Sequence, residues 1–373
     1  MNITKIDLVN FRCYSRFSID KFSNINIIIG SNGIGKTSII ESIYIGSLAK
    51  TFKSNDDLSI IKFNKEYSKV SIKLYSDFTY KYLDYYIDSN GKKTKINDKL
   101  IPKLSNFISQ YSVLLLSPDE VRLVKASPLI RRNYLNIQLS QIDKFYLKYL
   151  NDYNILIKDK NQFLKRININ SDFTYLDIID DKIADLGLKI YQYRQEYINY
   201  INIYIQNNFK NFNKKDTVFV KYESDFDSGD KDKDTIVKLL KKNRQKEITL
   251  GMSTIGIHRD DFIFFHNGVN SKEYSSQGTQ KLIVLSMKLS EIEIFKTKYN
   301  MKPIILLDDL FSELDVTNKD KIFKLLDSNS QVFITTTDIK NIDKNIIKKA
   351  KIYNLDERKF VWKAIIMKMI FRF

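Results

Sequence analysis

Residues 25–37 read INIIIGSNGIGKT, an apolar pentapeptide followed at once by a glycine-rich octapeptide. A short, nearly continuous apolar run of this kind is typical of a β-strand that is buried on both faces. The octapeptide fits the phosphate-binding loop (P-loop) pattern G-x-x-x-x-G-K-[ST] at every required position. Apolar residues then recur at helical spacing, so the stretch predicts a strand, a P-loop and a helix. The eight residues predicted to bind nucleotide are Gly30, Ser31, Asn32, Gly33, Ile34, Gly35, Lys36 and Thr37.

The chemistry of phosphate binding explains the residue types in this loop. Glycines let successive backbone N–H groups converge on phosphate oxygens, and the following helix adds its positive N-terminal end. We predict that Lys36 reaches the β- and γ-phosphates and that the Thr37 hydroxyl binds Mg²⁺. The alternative is a chance glycine-rich turn, which the strand before the loop and the helix after it disfavour.

A second apolar run, at residues 304–307, ends in the carboxylates of Asp308 and Asp309. In nucleotide hydrolases a strand of this kind ends in the acid that holds Mg²⁺. We predict that Asp308 acts on the metal side together with Thr37, and that Asp309 positions or deprotonates the attacking water. With Lys36 these two acids form the predicted catalytic set. Alone, an apolar strand that ends in two aspartates is more often structural, and the P-loop is what favours the functional interpretation.

Two further segments resemble motifs of ATP-binding-cassette (ABC) ATPases. Ser276, Gln277 and Gly278 precede a helix-spaced apolar run and resemble the signature motif Ser-x-Gly-x-Gln. A Ser and a Gly at a helix N-terminus offer a hydroxyl and bare N–H groups to a second phosphate, although an ordinary capped helix gives the same pattern. Ser312 and Asp315 match the Ser-x-Leu-Asp loop that these ATPases place across a dimer interface. The order of these motifs along the chain is more specific than any one of them.

The P-loop lies near the start of the chain and the paired carboxylates lie near its end. This separation predicts one nucleotide-binding lobe that is split in sequence by an insertion. Between the halves, Leu, Ile and Tyr recur at helical spacing with few glycines, so the insertion is expected to be mostly helical. No sustained heptads occur, which disfavours the long coiled coil of a chromosome-maintenance head. The predicted domains are residues 1–118, 119–250 and 251–373.

Composition leaves the partners open. The 61 Lys and Arg against 44 Asp and Glu give a formal net charge of +17, and fixed cations favour contact with phosphate backbones because they displace condensed counterions. Lys, Ile, Asn, Tyr and Phe have A/T-rich codons, so genome composition is an equally good explanation of the charge. The single cysteine, Cys13, excludes an intramolecular disulfide. The sequence shows neither a signal peptide nor an uncharged stretch of ~20 residues, which predicts a cytoplasmic protein with no membrane association.

Several segments of the chain resemble the RecF family of bacterial recombination-repair ATPases, which shares a superfamily with the SMC and Rad-type repair ATPases. The resemblance implies an α/β fold: an ABC-type (SMC/Rad-like) P-loop ATPase lobe, split in sequence, with a mostly helical second lobe inserted. The segments that carry it are LVNFR at 8–12, the P-loop with ESIY at 41–44, SPDE at 117–120, SPLIRR at 127–132, GIHRDD at 256–261 and LLDDLFSELD at 306–315.

The same resemblance implies the cofactors and partners. ATP and Mg²⁺ would bind the P-loop of one subunit and be closed over by the signature residues of another, which gives an ATP-dependent homodimer with weak, DNA-dependent ATPase activity. The implied partners are DNA (gapped, or duplex with a single-stranded junction), RecR and RecO, and indirectly RecA, which the protein helps to load on single strands. Lys238, Lys241, Lys242 and Arg244 are candidate phosphate contacts, and a solvated helix face is at least as good an interpretation of them.

Departures from the family pattern concern hydrolysis. Ser117 stands where relatives in the superfamily carry a water-sensing Gln, and residues 335–338 replace the His of many cassette ATPases. Both differences predict slow hydrolysis. The open alternatives are a nucleotide-switched DNA-binding scaffold with negligible turnover and another SMC-like repair ATPase head. His258 is interpreted as part of the segment at 256–261, and His266 as an ordinary surface residue. The tail, residues 358–373, does not resemble the family.

Overall fold

The structure is a computed structural model in which the chain divides into two compact units. The first unit comprises Met1–Glu120 with Leu285–Phe373, and the second comprises Val121–Val284. Residues 1–108, 110–167, 172–227, 232–312, 318–319, 322, 330–357 and 359–361 are described. The predicted domain boundary at residue 250 lies before the end of the second unit, because the strand at Asp261–His266 pairs with the strand at Val218–Glu223.

The strands and helices follow one another closely along the described chain. The strands are β1 (Asn2–Phe11), β2 (Tyr14–Asp20), β3 (Ile25–Ile29), β4 (Tyr67–Ser76), β5 (Thr79–Asp88), β6 (Gly91–Ile96), β7 (Lys99–Ile101), β8 (Val113–Leu116), β9 (Val218–Glu223), β10 (Asp261–His266), β11 (Val269–Asn270), β12 (Ile304–Asp308), β13 (Val332–Thr336), β14 (Lys351–Asn354) and β15 (Lys359–Val361). The helices are α1 (Lys36–Leu48), α2 (Leu104–Phe107), α3 (Arg122–Lys125), α4 (Pro128–Ile142), α5 (Lys144–Leu164), α6 (Thr174–Lys210), α7 (Lys233–Leu250), α8 (Ser271–Tyr274), α9 (Gln277–Thr297) and α10 (Lys344–Lys349).

A six-stranded sheet in the order β15-β14-β3-β13-β12-β8 forms the centre of the first unit. All its pairings are parallel except that of β14 with β15. Every residue of β8, β12 and β13 is buried, which is what uninterrupted apolar runs give when both faces of a parallel sheet are covered. The strands predicted at residues 25–29, 304–307 and 332–334 are confirmed.

The other sheet of the first unit is antiparallel, in the order β2-β1-β4-β5-β6-β7. Buried and accessible residues alternate along β4, because one face packs inward and the other meets solvent. The turn at Asn90 and Gly91 joins β5 to β6, as the dipeptide predicts. Helix α1 contacts strands of both sheets and buries nearly all of its residues, so the helix that begins at the P-loop lies in the core of this unit.

Helices α4 to α7 and a three-stranded sheet in the order β11-β10-β9 make up most of the second unit. The long helix α6 contacts α5, α7 and β9, and the insertion is mostly helical as predicted. Asn267 and Gly268 both have positive φ, 51° and 80°, as the tight β10–β11 hairpin requires. Across the described parts of the chain, every helix is too short or too polar to cross a lipid bilayer.

Candidate nucleotide-binding site

The sequence-predicted residues of the first unit meet at one edge of its central sheet. The P-loop follows β3, Asp308 ends β12, and Ser117 follows β8. The register places Asp308 beside Thr335 and places Thr336 beside Ile29, the last residue before the loop. In open α/β sheets, ligands bind outside the carboxyl ends of parallel strands. The topology therefore brings the two halves of the predicted site together.

Glycine is needed in the P-loop for both conformation and space. Gly33 and Gly35 have φ of 82° and 111°, in the left-handed region that side chains disfavour. A Cβ atom built on Gly35 would lie 2.6 Å from the Tyr14 hydroxyl and 2.7 Å from the Cys13 sulfur. Helix α1 starts at the next residue, Lys36, so the loop ends where a helix N-terminus supplies N–H groups to an anion.

Lys36 is buried, with 7% of its surface exposed. Its ammonium group donates hydrogen bonds to the carbonyl oxygens of Gly30 (2.8 Å) and Ser31 (3.0 Å). Both partners are neutral groups of the loop itself, and a phosphate oxygen forms a stronger, charge-assisted bond. The lysine is thus positioned to exchange loop carbonyls for a nucleotide phosphate.

Asp308 lies at the centre of a hydroxyl-linked group of residues. Its Oδ1 accepts a hydrogen bond from the Thr335 hydroxyl at 2.7 Å, and the same hydroxyl accepts from the Asp309 backbone N–H at 2.9 Å. Burial raises the pKa of Asp308, and hydrogen bonds from Thr335 and Thr37 oppose that shift. Asp309 has φ of 49°, a left-handed conformation that turns the chain directly after the strand.

Thr37 and Asp308 are neighbours, because the Thr37 side chain lies close enough to the Asp308 carboxylate to lower its pKa. A hydroxyl and a carboxylate oxygen are hard donors of the kind that Mg²⁺ prefers, and Mg²⁺ usually binds one or two protein groups together with substrate phosphates. The described residues contain no group of three or more His, Cys, Asp or Glu side chains that would hold a metal by themselves. The donor set fits Mg²⁺ that arrives with a nucleotide.

Two contacts at the loop could not be predicted from the sequence. The Asp356 carboxylate accepts hydrogen bonds from the Ser31 backbone N–H (2.9 Å) and the Ser31 hydroxyl (2.8 Å). Arg12 forms two hydrogen bonds, of 2.8 and 2.6 Å, with the buried Glu41 of α1. The LVNFR segment and the helix after the P-loop are therefore joined directly. Asp356 carries no motif of its own, since it lies in the turn between β14 and β15.

The signature residues belong to the second unit and are open to solvent. Ser276, Gln277 and Gly278 are all exposed. The Ser276 hydroxyl accepts from the Thr279 backbone N–H at 3.2 Å, which makes it the N-cap of α9. A Cβ atom built on Gly278 would meet nothing closer than 3.9 Å, so there is open space beside the first turn of α9. Ser312 ends a 3₁₀ turn, and Asp315 lies outside the described residues.

Other predicted residues of the second unit have partners of their own. Arg244 bonds to Asp177 (2.6 Å) and to Asp180 (2.9 Å), and Lys241 lies 3.2 Å from Asp177. These two candidate phosphate contacts are thus already paired within α6 and α7. Lys238 and Lys242 are exposed on α7.

The two histidines differ from each other. His258 is partly buried, as expected for a member of the segment at 256–261, and its Nδ1 lies 3.0 Å from the Tyr153 hydroxyl. The interpretation of His266 as an ordinary surface residue is wrong. Its Nε2 lies 3.0 Å from Asp216, and its Nδ1 lies 3.2 Å from the hydroxyl of Ser275, the residue before the signature.

Comparison with known proteins gives similarity over almost the whole chain. A family model described as "RecF/RecN/SMC N terminal domain" matches residues 2–357. A DNA replication and repair protein RecF of Staphylococcus carnosus (strain TM300) is 32% identical in an alignment of 373 positions. The alignment covers 97% of this chain and 100% of the relative. A protein of the same name from Acholeplasma laidlawii (strain PG-8A) is 36% identical over 337 residues, covering 90% of this chain and 93% of the relative.

Solved structures give the same result for the fold. The structure of "the recombination mediator protein RecF-ATPrS in RecFOR pathway" has a TM-score of 0.85 and 27% identity, and the match covers 95% of each chain. An SMC head bound to the C-winged helix domain of ScpA has a TM-score of 0.53 and 16% identity, covers 94% of this chain and 93% of that chain, and shows the fold alone. The predicted α/β fold of ABC-type ATPases is confirmed.

Proposed function

Because this chain belongs to the RecF family of DNA replication and repair proteins, we propose that it is an ATP-dependent DNA-binding protein of recombinational repair and replication restart. It dimerises on ATP, binds gapped or duplex DNA, hydrolyses ATP slowly and helps to load RecA on single strands. One observation carries the proposal: the P-loop, Asp308 and Thr335 lie together at the carboxyl edge of the central sheet. This arrangement supports a nucleotide site that controls DNA binding.

The P-loop would hold the triphosphate of ATP. Backbone N–H groups at the start of α1 would bind phosphate oxygens, and the Lys36 ammonium, which now donates to the carbonyl oxygens of Gly30 and Ser31, would bind the β- and γ-phosphates. Thr37 and Asp308 would hold Mg²⁺. The metal, when bound, neutralises developing charge on the phosphates. Since burial raises the pKa of Asp308, a cation beside it would favour its charged form.

Hydrolysis would depend on Asp309, which follows the metal-side acid and whose backbone is held by Thr335. Its carboxylate would orient the attacking water or accept a proton from it. Slow turnover is proposed because Ser117 and residues 335–338 stand where many cassette ATPases place γ-phosphate contacts from Gln and His. Ser117 follows the buried strand β8, and the other segment starts within the last two residues of the buried strand β13, at the same edge of the sheet.

The exposed signature residues support a nucleotide that is shared between two chains. Ser276 would offer its hydroxyl and Gly278 its backbone N–H at the N-terminus of α9, where space is open. The triphosphate held by the P-loop of a second subunit would accept hydrogen bonds from both groups. ATP would then act as the link in a homodimer, with the loop that contains Ser312 and Asp315 at its interface. Such a dimer would act in the cytoplasm with RecR and RecO, and through them with RecA.

Asp309→Asn separates an enzyme from a nucleotide switch. In an enzyme, this variant binds ATP but does not hydrolyse it, so the dimer persists on DNA and is detected by size-exclusion chromatography with light scattering. A pure switch with negligible turnover gives the same dimer lifetime in the variant and in the wild type. That result would favour the scaffold alternative over the enzyme.

The decisive experiment measures DNA binding with and without ATP on gapped, duplex and single-stranded DNA. Wild type is compared with Lys36→Arg, which keeps the charge but changes its geometry, and with Lys182→Arg as a matched control at an exposed position of α6. We expect ATP to increase affinity for duplex-containing DNA in the wild type and the control, and not in Lys36→Arg. Absence of any gain in the wild type would overturn the proposed function.

A further inference from the structure

An exposed row of tyrosines lies on the solvent face of the antiparallel sheet. Alternation along β4 and β5 directs Leu83, Tyr85 and Ile87 into the core and the intervening residues outward. Tyr80 and Tyr82 remain 52% and 48% exposed. We call the outward set the aromatic face; its members are Tyr67, Tyr75, Tyr80, Tyr82 and Tyr86.

Lysine side chains lie over several of these rings. The Lys73 ammonium is 3.9 Å from the centroid of the Tyr80 ring and 5.3 Å from that of Tyr82. At the other end of the face, Lys93 lies 5.9 Å from the Tyr86 ring. Cations in these positions are attracted to the rings, so the face combines flat aromatic surfaces with positive charge.

Neighbouring rings also pack in pairs. Tyr75 and Tyr80 have centroids 5.1 Å apart, and Tyr67 and Tyr86 are stacked with centroids 5.3 Å apart. Tyr75 and Tyr80 lie directly opposite each other on β4 and β5, whereas Tyr67 and Tyr86 lie diagonally across the same two strands. The separation of Tyr80 and Tyr86 along β5 is about 20 Å at the usual rise per residue. The rings therefore form a platform that is held in place before any ligand binds.

Large exposed aromatic groups that lie side by side mark a binding surface more often than scattered ones do. Phe78, at the tip of the β4–β5 hairpin, is 93% exposed and extends the set. Lysines outnumber acids among the outward charges. Lys69, Lys73, Lys93 and Lys95 lie on these strands, against Asp84, which is paired with Lys69 at 3.1 Å, and Asp88, which lies beside Tyr86. A ligand that fits offers flat rings and negative charge together.

We propose that the aromatic face binds single-stranded DNA by stacking bases on Tyr80 and Tyr82, with Lys73 and Lys93 contacting phosphates. Unpaired bases expose the π-faces that duplex DNA keeps in its own stack, and base–aromatic stacking is the usual means of sequence-independent single-strand binding. DNA is the nucleic acid expected, because the relatives are DNA replication and repair proteins. The inference rests on the proposed function and adds to it a binding site for the single-stranded part of gapped DNA.

The test compares the full chain with Tyr80→Ala/Tyr82→Ala and with Tyr80→Phe/Tyr82→Phe, which keeps the rings. Affinity for oligo(dT) and for duplex DNA is measured by fluorescence anisotropy in the presence of ATP. We expect the alanine variant to bind oligo(dT) at least about tenfold more weakly, with duplex affinity unchanged and with the phenylalanine variant close to wild type. Tyr175→Ala is the control, because Tyr175 is 47% exposed on a helix of the second unit.

A second measurement locates the bound DNA strand directly. Oligonucleotides that carry 5-iododeoxyuridine are photocrosslinked to the wild-type protein, and the modified peptides are identified by mass spectrometry. Crosslinks within residues 79–88 support the proposal. Unchanged oligo(dT) affinity in the alanine variant, with crosslinks elsewhere, would overturn it and leave the face to a protein partner. If ATP does not increase the affinity of the wild type for duplex DNA, that result instead overturns the proposed function.

Discussion

Two buried lysines, one in each unit, have opposite kinds of partner. Lys36 is 7% exposed, and its ammonium group bonds to the carbonyl oxygens of Gly30 and Ser31. Lys160 is 1% exposed and lies 2.8 Å from the Asp180 carboxylate and 2.7 Å from that of Glu247. Neutral carbonyls release a cation to a phosphate at small cost, whereas two buried carboxylates need the cation between them. The partners of a buried charge thus distinguish a ligand-binding role from a structural one.

Other buried charges show the same two kinds of partner, and an ion pair, that of Arg12 with Glu41, occurs in the first unit as well. In the second unit, Arg194 lies 3.0 Å from Asp260 and Arg131 lies 2.6 Å from Asp261. At the nucleotide edge of the first unit, the buried Asp308 is held by a threonine hydroxyl. Charges that are paired within the protein are costly to separate, and charges held by neutral groups remain able to bind an ion of opposite sign. This contrast can be tested by making the same change in both units.

Lys160→Met and Lys36→Met apply one substitution to the two sites. Lys160→Met leaves the buried Glu247 without a cationic partner and leaves the buried Asp180 with Arg244 alone, so we expect it to lower the free energy of unfolding of the second unit by about 3–5 kcal/mol. Lys36→Met should weaken ATP binding roughly 100-fold and change stability by less than about 1 kcal/mol. Hydrogen exchange of amides in each unit and isothermal titration with ATP measure the two effects.

The contrast between the two lysines is wrong if Lys36→Met lowers stability and Lys160→Met lowers ATP affinity. A Lys36→Met protein that unfolds as readily as Lys160→Met would mean that the P-loop lysine is a structural charge. A matched control is Lys182→Met, because Lys182 is exposed on α6, where surface substitutions usually change stability by no more than about 0.5 kcal/mol.

Acid should destabilise the second unit through His258. Burial lowers the pKa of His258 to about 4 from 6.5, so the folded unit favours the neutral ring. The stability that this contributes is fully present above about pH 6.5 and is lost as the pH falls through about 4, which amounts to about 3 kcal/mol. His258→Gln should remove this dependence in urea unfolding monitored between pH 7 and pH 4. A wild-type profile that the substitution leaves unchanged would contradict the prediction.

Glu120 in the first unit should have the opposite, smaller effect. Burial raises its pKa from 4.5 to about 6, against the opposing attraction of Lys288, which lies 2.7 Å away. The folded carboxyl group therefore holds its proton more tightly than the unfolded one. Its contribution to stability is complete below about pH 4.5 and is lost as the pH rises through 6, about 2 kcal/mol in total. Glu120→Gln should flatten this part of the profile, whereas Asp119→Asn next to it should not.

Much of the candidate nucleotide site at the carboxyl edge of the central sheet could be predicted from the sequence, because its residues lie close together along the chain. Gly33, Gly35, Lys36 and Thr37 lie in one loop, and the need for positive φ and close anion approach restricts which residues can stand there. The strand that ends at Asp308 was equally visible, since a strand buried on both faces has a continuous apolar run.

Contacts between distant segments could not be predicted in this way. Asp356 reaches Ser31 only because β14 pairs beside β3, and no spacing in the sequence encodes that pairing. The same holds for His266, because its partner Asp216 precedes a different strand. Arg244 meets its acidic partners on α6 only because α6 and α7 pack together.

The smallest effects are expected on α7, where the charges are exposed. Lys238→Ala/Lys242→Ala should change stability by no more than about 0.5 kcal/mol, because exposed lysines add little to a folded state. If both residues contact phosphates, the slope of log affinity against log salt concentration for duplex DNA should decrease by about two. Lys241→Ala is the matched comparison, since Lys241 forms an exposed pair with Asp177. An unchanged salt slope in the double variant would assign this face of α7 to solvent alone.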